Sequence, residues 1–186
     1  MEWRWNAVFL VSFGVVWAAM TTAKPVSSLD PADAETRMLA ALEDQYAHDP
    51  GNAVLARSLA ETYLDLGRPG LAIAALRAGD PANLENPMVA HRLAQAYEAS
   101  GRVLDAYATA DLALARCARA LGTADAPSGT PVPRFACDAR QHMALSTHQE
   151  ALGHMLEWGI ADPARDARTE VAYDLALRRA SIASAR

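Results

Sequence analysis

Lysine is all but missing from this chain: Lys24 stands alone against sixteen arginines. Aromatic residues are scarce at 6%, and net charge is a thinly spread −5. No basic stripe interleaved with aromatics occurs, which argues against a nucleic-acid partner. The period-two runs of β-branched residues that mark strands are missing after residue 30, so the expected fold is all-α. A Gly-rich phosphate loop and a G-x-S-x-G nucleophile elbow are absent, and with them the two commonest short signatures of nucleotide and acyl chemistry. Only two cysteines are present, Cys117 and Cys137. Neither follows the N-terminal apolar stretch, which excludes a lipoprotein anchor there.

What remains is alanine-rich, and alanine both favours helix and lets helices approach closely. Apolar residues make up 52% of 186 residues, enough for one main domain with appendages. Arginine in place of lysine, with much Ala, Gly and Pro, points to a GC-rich bacterial source.

The opening, "MEWRWNAVFLVSFGVVWAAMTTAKP", has a short charged start at Arg4, an apolar run from Ala7 to Met20, and small residues at Thr21 and Ala23. That order is the signal-peptide pattern. The run is short for a spanning helix, which needs about 20 residues. Trp3, Trp5 and Trp17 nevertheless suit bilayer interfaces. Residues 1–23 are expected to be a cleaved signal or an uncleaved anchor, with a buried soluble helix as the remaining alternative. Either of the first two exports the rest of the chain, to the periplasm or to the periplasmic face of the inner membrane. Membrane contact is then expected only through this segment, if it stays uncleaved.

Residues 24–51 come next, as a linker and a helix with Met38, Leu39, Leu42 and Tyr46 at helical spacing. Asp30-Pro31 marks its start, and the pair recurs at Asp49-Pro50, Asp80-Pro81 and Asp162-Pro163. Asp caps helices and Pro suits their first turn, so these pairs punctuate a chain of helices.

The strongest pattern is a phrase written twice. "LAETYLDLGR" at Leu59–Arg68 returns as "LAQAYEASGR" at Leu93–Arg102, an offset of 34 residues. Ala56 meets Ala90, Leu59 meets Leu93, Ala60 meets Ala94 and Tyr63 meets Tyr97. Gly67-Arg68 meets Gly101-Arg102, Ala72 meets Ala106, and Asn52 meets Asn86 at the expected N-caps. Ala56, Leu59, Ala60 and Tyr63 form one face of a helix. The small Ala60 leaves room for a neighbouring helix and Tyr63 fills the gap beyond it. Gly67 ends the helix where a left-handed residue is needed. Each unit is a helical hairpin that cannot bury its apolar face alone and must stack on the next.

Period and positions resemble the tetratricopeptide repeat family over Asn52 to about Arg116. Its leucine–alanine pair, tyrosine, turn glycine and second-helix alanine are all here, and Ala56 and Ala90 replace its first-helix tryptophan. The resemblance implies a short right-handed solenoid of antiparallel helix pairs, with two repeats over residues 52–117. It also implies that the first helices line a concave groove. The stripe beside the packing face would then bind a partner: Val54, Arg57, Glu61 and Leu64, then Met88, His91, Gln95 and Glu98. Some family members clamp a carboxylate there. Glu61 opposes that, so mixed recognition of a peptide or helix is expected.

Beyond Arg116 the period fails. Residues 118–136 read as a Pro/Gly-rich loop. A long helix is expected over Cys137–Trp158 and a last one from Asp162-Pro163 to about Ala183. Together, residues 137–186 read as a degenerate third hairpin closing the stack. Its "DLAL" at Asp174–Leu177 echoes Asp111–Leu114.

Catalysis finds little support. His142, His148 and His154 are six apart and scatter to three faces of one helix. Glu150, His154 and Glu157 share a face, yet no second helix offers matching ligands. Neither a metal nor another cofactor is expected. His148 falls on the Leu145–Leu152 side and reads as a hydrogen-bonded histidine. Cys117 and Cys137 would be free thiols in the cytosol; in an exported protein an even count favours a disulfide. The expected function is binding: an exported adaptor or assembly factor of the cell envelope that recognises another protein in its groove, and not an enzyme. The alternatives are a structural subunit of an envelope complex, or a metal-dependent enzyme around His148, His154 and Glu157.

Overall fold

A computed structural model describes residues 31–124 and 135–184. The N-terminal hydrophobic segment and residues 125–134 of the expected loop lie outside them. The chain divides into two units, Met1–Arg37 and Met38–Arg186. Of the first, the opening of one helix is described; the hairpins all belong to the second. Among the described residues the fold is all-helical, and no helix is long and apolar enough to cross a membrane.

Helix α1 spans Pro31–His48. It buries Leu39 and Tyr46, two turns apart on one face. Helices α2 (Ala53–Asp65) and α3 (Pro69–Ala78) make the first hairpin. Asn52 caps α2, its Oδ1 accepting from the amides of Val54 and Leu55. The helix ends at Gly67, whose φ of 65° suits a residue without a Cβ, and the Arg68 amide closes back on the Tyr63 carbonyl at 2.8 Å. Pro69 then opens α3 with the φ a first turn needs.

A 3₁₀ turn over Pro81–Glu85 leads to the second hairpin, α4 (Pro87–Ala99) and α5 (Val103–Ala124). The same devices recur 34 residues on. Asn86 caps α4 through the Met88 amide, Gly101 has φ 72°, and Arg102 closes on the Tyr97 carbonyl at 2.8 Å. Ala56, Leu59, Ala60 and Tyr63 are buried on α2; Ala90, Leu93, Ala94 and Tyr97 are buried on α4. Ala72 and Ala106, on α3 and α5, are fully buried at matching places. Helix α2 packs on α3 and α4, and α4 on α5.

The third hairpin is α6 (Ala139–Glu157) and α7 (Arg168–Ser184). Three boundaries around it differ from the sequence expectation. Helix α5 runs on to Ala124, because Leu121 still packs beside a cluster containing Cys117 and Leu145. Helix α6 starts at Ala139, two residues late, because Asp138 and Gln141 form a reciprocal capping box. Helix α7 starts at Arg168, since Asp162-Pro163 makes a turn and Asp166 caps the helix, accepting from the Arg168 amide. The end of α6 repeats the earlier device: Gly159 has φ 64°, and Ile160 closes on the Met155 carbonyl at 2.9 Å. Counting back from that glycine, Met155 takes the place of Tyr63 and Tyr97, and His148 that of Ala56 and Ala90. Ala113 and Ala176, the shared alanines of the two "DLAL" phrases, are both fully buried. Helix α6 packs on α5 and α7 rather than along α4. Cys117 in α5 and Cys137, just before α6, are joined as a disulfide with Cα atoms 5.3 Å apart.

Candidate binding face and cleft

The eight residues of the expected groove stripe divide into two groups. On α2, Val54 is 67% exposed, Arg57 is exposed, and Leu64 is half-buried against the core. Met88, at the start of α4, is also half-buried. Glu61 is engaged: Arg92 Nη2 donates to its Oε1 at 2.7 Å, while Arg92 Nη1 donates to Gln95 Oε1 at 2.8 Å.

His91 and Glu98 are corrections to the expected groove. His91 is buried, at 7% exposure, and Glu98 turns inward to serve the third hairpin. The reason is position in the stack. Helix α2 has a neighbour on one flank of this stripe, whereas α4 meets side chains of α6 and α7 on the other.

Glu98 is the centre of that meeting. His148 Nε2, on α6, lies 2.9 Å from its Oε2. Tyr173 Oη, on α7, donates to both carboxylate oxygens at 2.8 and 2.9 Å. The His148 and Tyr173 rings are nearly parallel, and the His91 ring lies 4.9 Å from that of His148. Burial first, then the Glu98 charge, raises the Tyr173 phenol well above its ordinary value. Burial, with His148 and Arg92 adding to it, pushes the His91 imidazole down to about 3, so it is neutral at ordinary pH. Among the described residues, His91 Nε2 and His148 Nδ1 are buried without a hydrogen-bond partner.

Because α6 leans on α5, a cleft of about 640 Å³ opens between α4, α6 and α7. Met143, Ala144, Leu177 and Ala180 supply apolar lining. Gln95, Thr147, Tyr173 and Ser181, with the two imidazoles, supply its polar groups, and among the described residues Arg140 is the one full charge that lines it. Gln95 and His91 therefore belong to the cleft.

Other expected sites fall elsewhere. His154 stacks on Trp158, with Glu150 and Glu157 beside it at 4.0 and 3.4 Å. Glu150 also takes an ion pair from Arg179 of α7. His142 is half-exposed on α6. Among the described residues, no group of three or more His, Cys, Asp or Glu is placed to hold a metal. Sequence patterns alone did not point to Arg92, Arg140, Met143, Tyr173 or Leu177. The turn at Trp158-Gly159 could have indicated Arg140 and Met143, by fixing the register of α6 against the repeats; no local signal marks Arg92, Tyr173 or Leu177.

Compared with protein-family models, curated proteins and solved structures, the chain finds no match.

Proposed function

We propose that this protein is an exported bacterial binding module, a short tetratricopeptide-like solenoid that acts as adaptor or assembly factor in the cell envelope. One observation carries the reading: a strict division of labour on the first helices. The faces of Ala56, Leu59, Ala60, Tyr63 and their α4 counterparts are consumed by packing, while Val54 and Arg57 beside them stay open. An exposed apolar residue and an exposed cation, held on a rigid helix, suit recognition of a peptide or helix of another protein. Capture from the native envelope tests it. Val54→Asp with Arg57→Glu should abolish partner recovery and leave helicity unchanged; recovery at wild-type yield removes this face from function.

A second reading has its own observation. Val171, Leu175 and Ile182 stand exposed on α7 at helical spacing. They favour a subunit that packs into an envelope complex through its outer face. Leu175→Glu would then release the protein from a high-mass native assembly.

A further inference from the structure

We infer that the cleft between α4, α6 and α7 is a receptor for a small aliphatic carboxylate. This role is separate from, and does not depend on, the protein-binding face on α2.

Size comes first. About 640 Å³ lies within the range of small-molecule pockets, roughly 300–1,000 Å³. The cleft is also preformed. The Glu98 carboxylate holds α6 through His148 and α7 through Tyr173, which fixes two walls against the third.

Chemistry of the lining comes second. Met143, Ala144, Leu177 and Ala180 offer apolar surface to a chain of methylenes. A peptide would bring its own amides into this surface, and few groups there could satisfy them; an alkyl chain brings none. The polar wall is neutral at His91 and holds two imidazoles that are more than nine-tenths buried, each with a nitrogen lacking a partner among the described residues.

Charge comes third. Among the described residues, Arg140 has no ion-pair partner, and neither Asp nor Glu lines the cleft. A guanidinium fork fits a planar carboxylate with two parallel hydrogen bonds. The complement of this cleft is thus an apolar body with one anionic head, seated with the head at Arg140.

Calorimetric titration of the full chain tests the inference, with decanoate, octanoate, decanol and decylamine as probes. Decanoate should bind saturably, one per chain. Octanoate should bind about tenfold more weakly, from the loss of two buried methylenes. Decanol should bind more weakly than decanoate, and decylamine more weakly still. Arg140→Glu should weaken decanoate at least about tenfold and put decylamine ahead of it, at unchanged melting temperature because Arg140 is exposed. Decanoate, decanol and decylamine binding alike would overturn the inference, as would an unchanged preference in Arg140→Glu. Absence of saturable binding would overturn it too. A concentration-dependent self-association that Arg140→Glu abolishes would give the cleft to a second copy and would equally overturn it.

Discussion

The first two hairpins and the third are held by different kinds of force. Between α2/α3 and α4/α5 the contact is mainly small-residue packing, with the ion pair of Arg92 and Glu61 beside it: Ala60, Ala72, Ala94 and Ala106 are fully buried at matching positions, with tyrosines closing the gaps. The third hairpin buries Ala151, Leu152, Met155 and Ala176 as well. To these it adds devices that occur once. Glu98 receives His148 and Tyr173, Gln149 donates to the Tyr107 hydroxyl at 3.0 Å, and a disulfide ties Cys117 to Cys137. Packing that repeats needs no partner-specific chemistry. Docking a unit that has lost the repeat does, and the disulfide makes the dock sensitive to redox state in a way the stack is not.

The comparison breaks most sharply at Glu98. Glu98→Leu removes one carboxylate and leaves the buried His148 imidazole and the half-buried Tyr173 hydroxyl without their partner, a change expected to cost about 1–3 kcal/mol for each group left unsatisfied. Hydrogen exchange should show α6 and α7 losing protection while α2 and α3 keep theirs. Equal loss throughout would mean that the third hairpin is not a separate dock.

Reduction is the next largest effect. The bridge closes a separation of 20 residues, which should stabilise by about 3 kcal/mol on the chain-entropy model. Dithiothreitol should lower the melting temperature and expose α6 to proteases before α2. A melting temperature blind to the reductant would place the whole dock in non-covalent contacts.

Ala94→Leu tests the other side of the comparison. Overpacking this helix contact should cost about 1–3 kcal/mol and lower the melting temperature by several degrees. An unchanged melting temperature would take Ala94 out of the stacking interface. Arg57→Ala, on the open face, should leave stability where it is.

The effect of pH is graded rather than abrupt, because it accumulates over several pH units. An unfolded His91 titrates near 6.5 and the folded one near 3. Between these values the unfolded chain takes up a proton that the folded chain refuses. Stability from this group is therefore complete above pH 6.5 and falls as pH drops towards 3, by at most about 1.4 kcal/mol per pH unit. His91→Gln should flatten the slope in denaturant titrations between pH 6.5 and about 4; a slope that survives belongs to other groups.

The same division explains what could be read from sequence. The Asn caps, the turn glycines and the buried Ala–Leu–Ala–Tyr face were legible because each is written twice, and a coincidence of so many positions at one offset has a physical cause. The bounds of α6 and α7 were less so. Asp162-Pro163 offers a cap and a first-turn proline like any helix start, yet its turn stops short and Asp166 takes over. The cleft was legible only in part. Glu61 and Glu98 look alike on their helices. That one meets an arginine from the next repeat and the other a histidine 50 residues away depends on how the third hairpin leans. No local pattern encodes that.

The bridge between Cys117 and Cys137 also makes the chain a closed ring with two tails. Any single cut between those cysteines leaves both halves of the molecule covalently one, with a water added and no fragment lost until a reductant arrives. The ring can be opened there genetically as well, by ending one gene product and starting another between the two cysteines. The bond then becomes a seam between two chains, made or undone by the redox state of their surroundings.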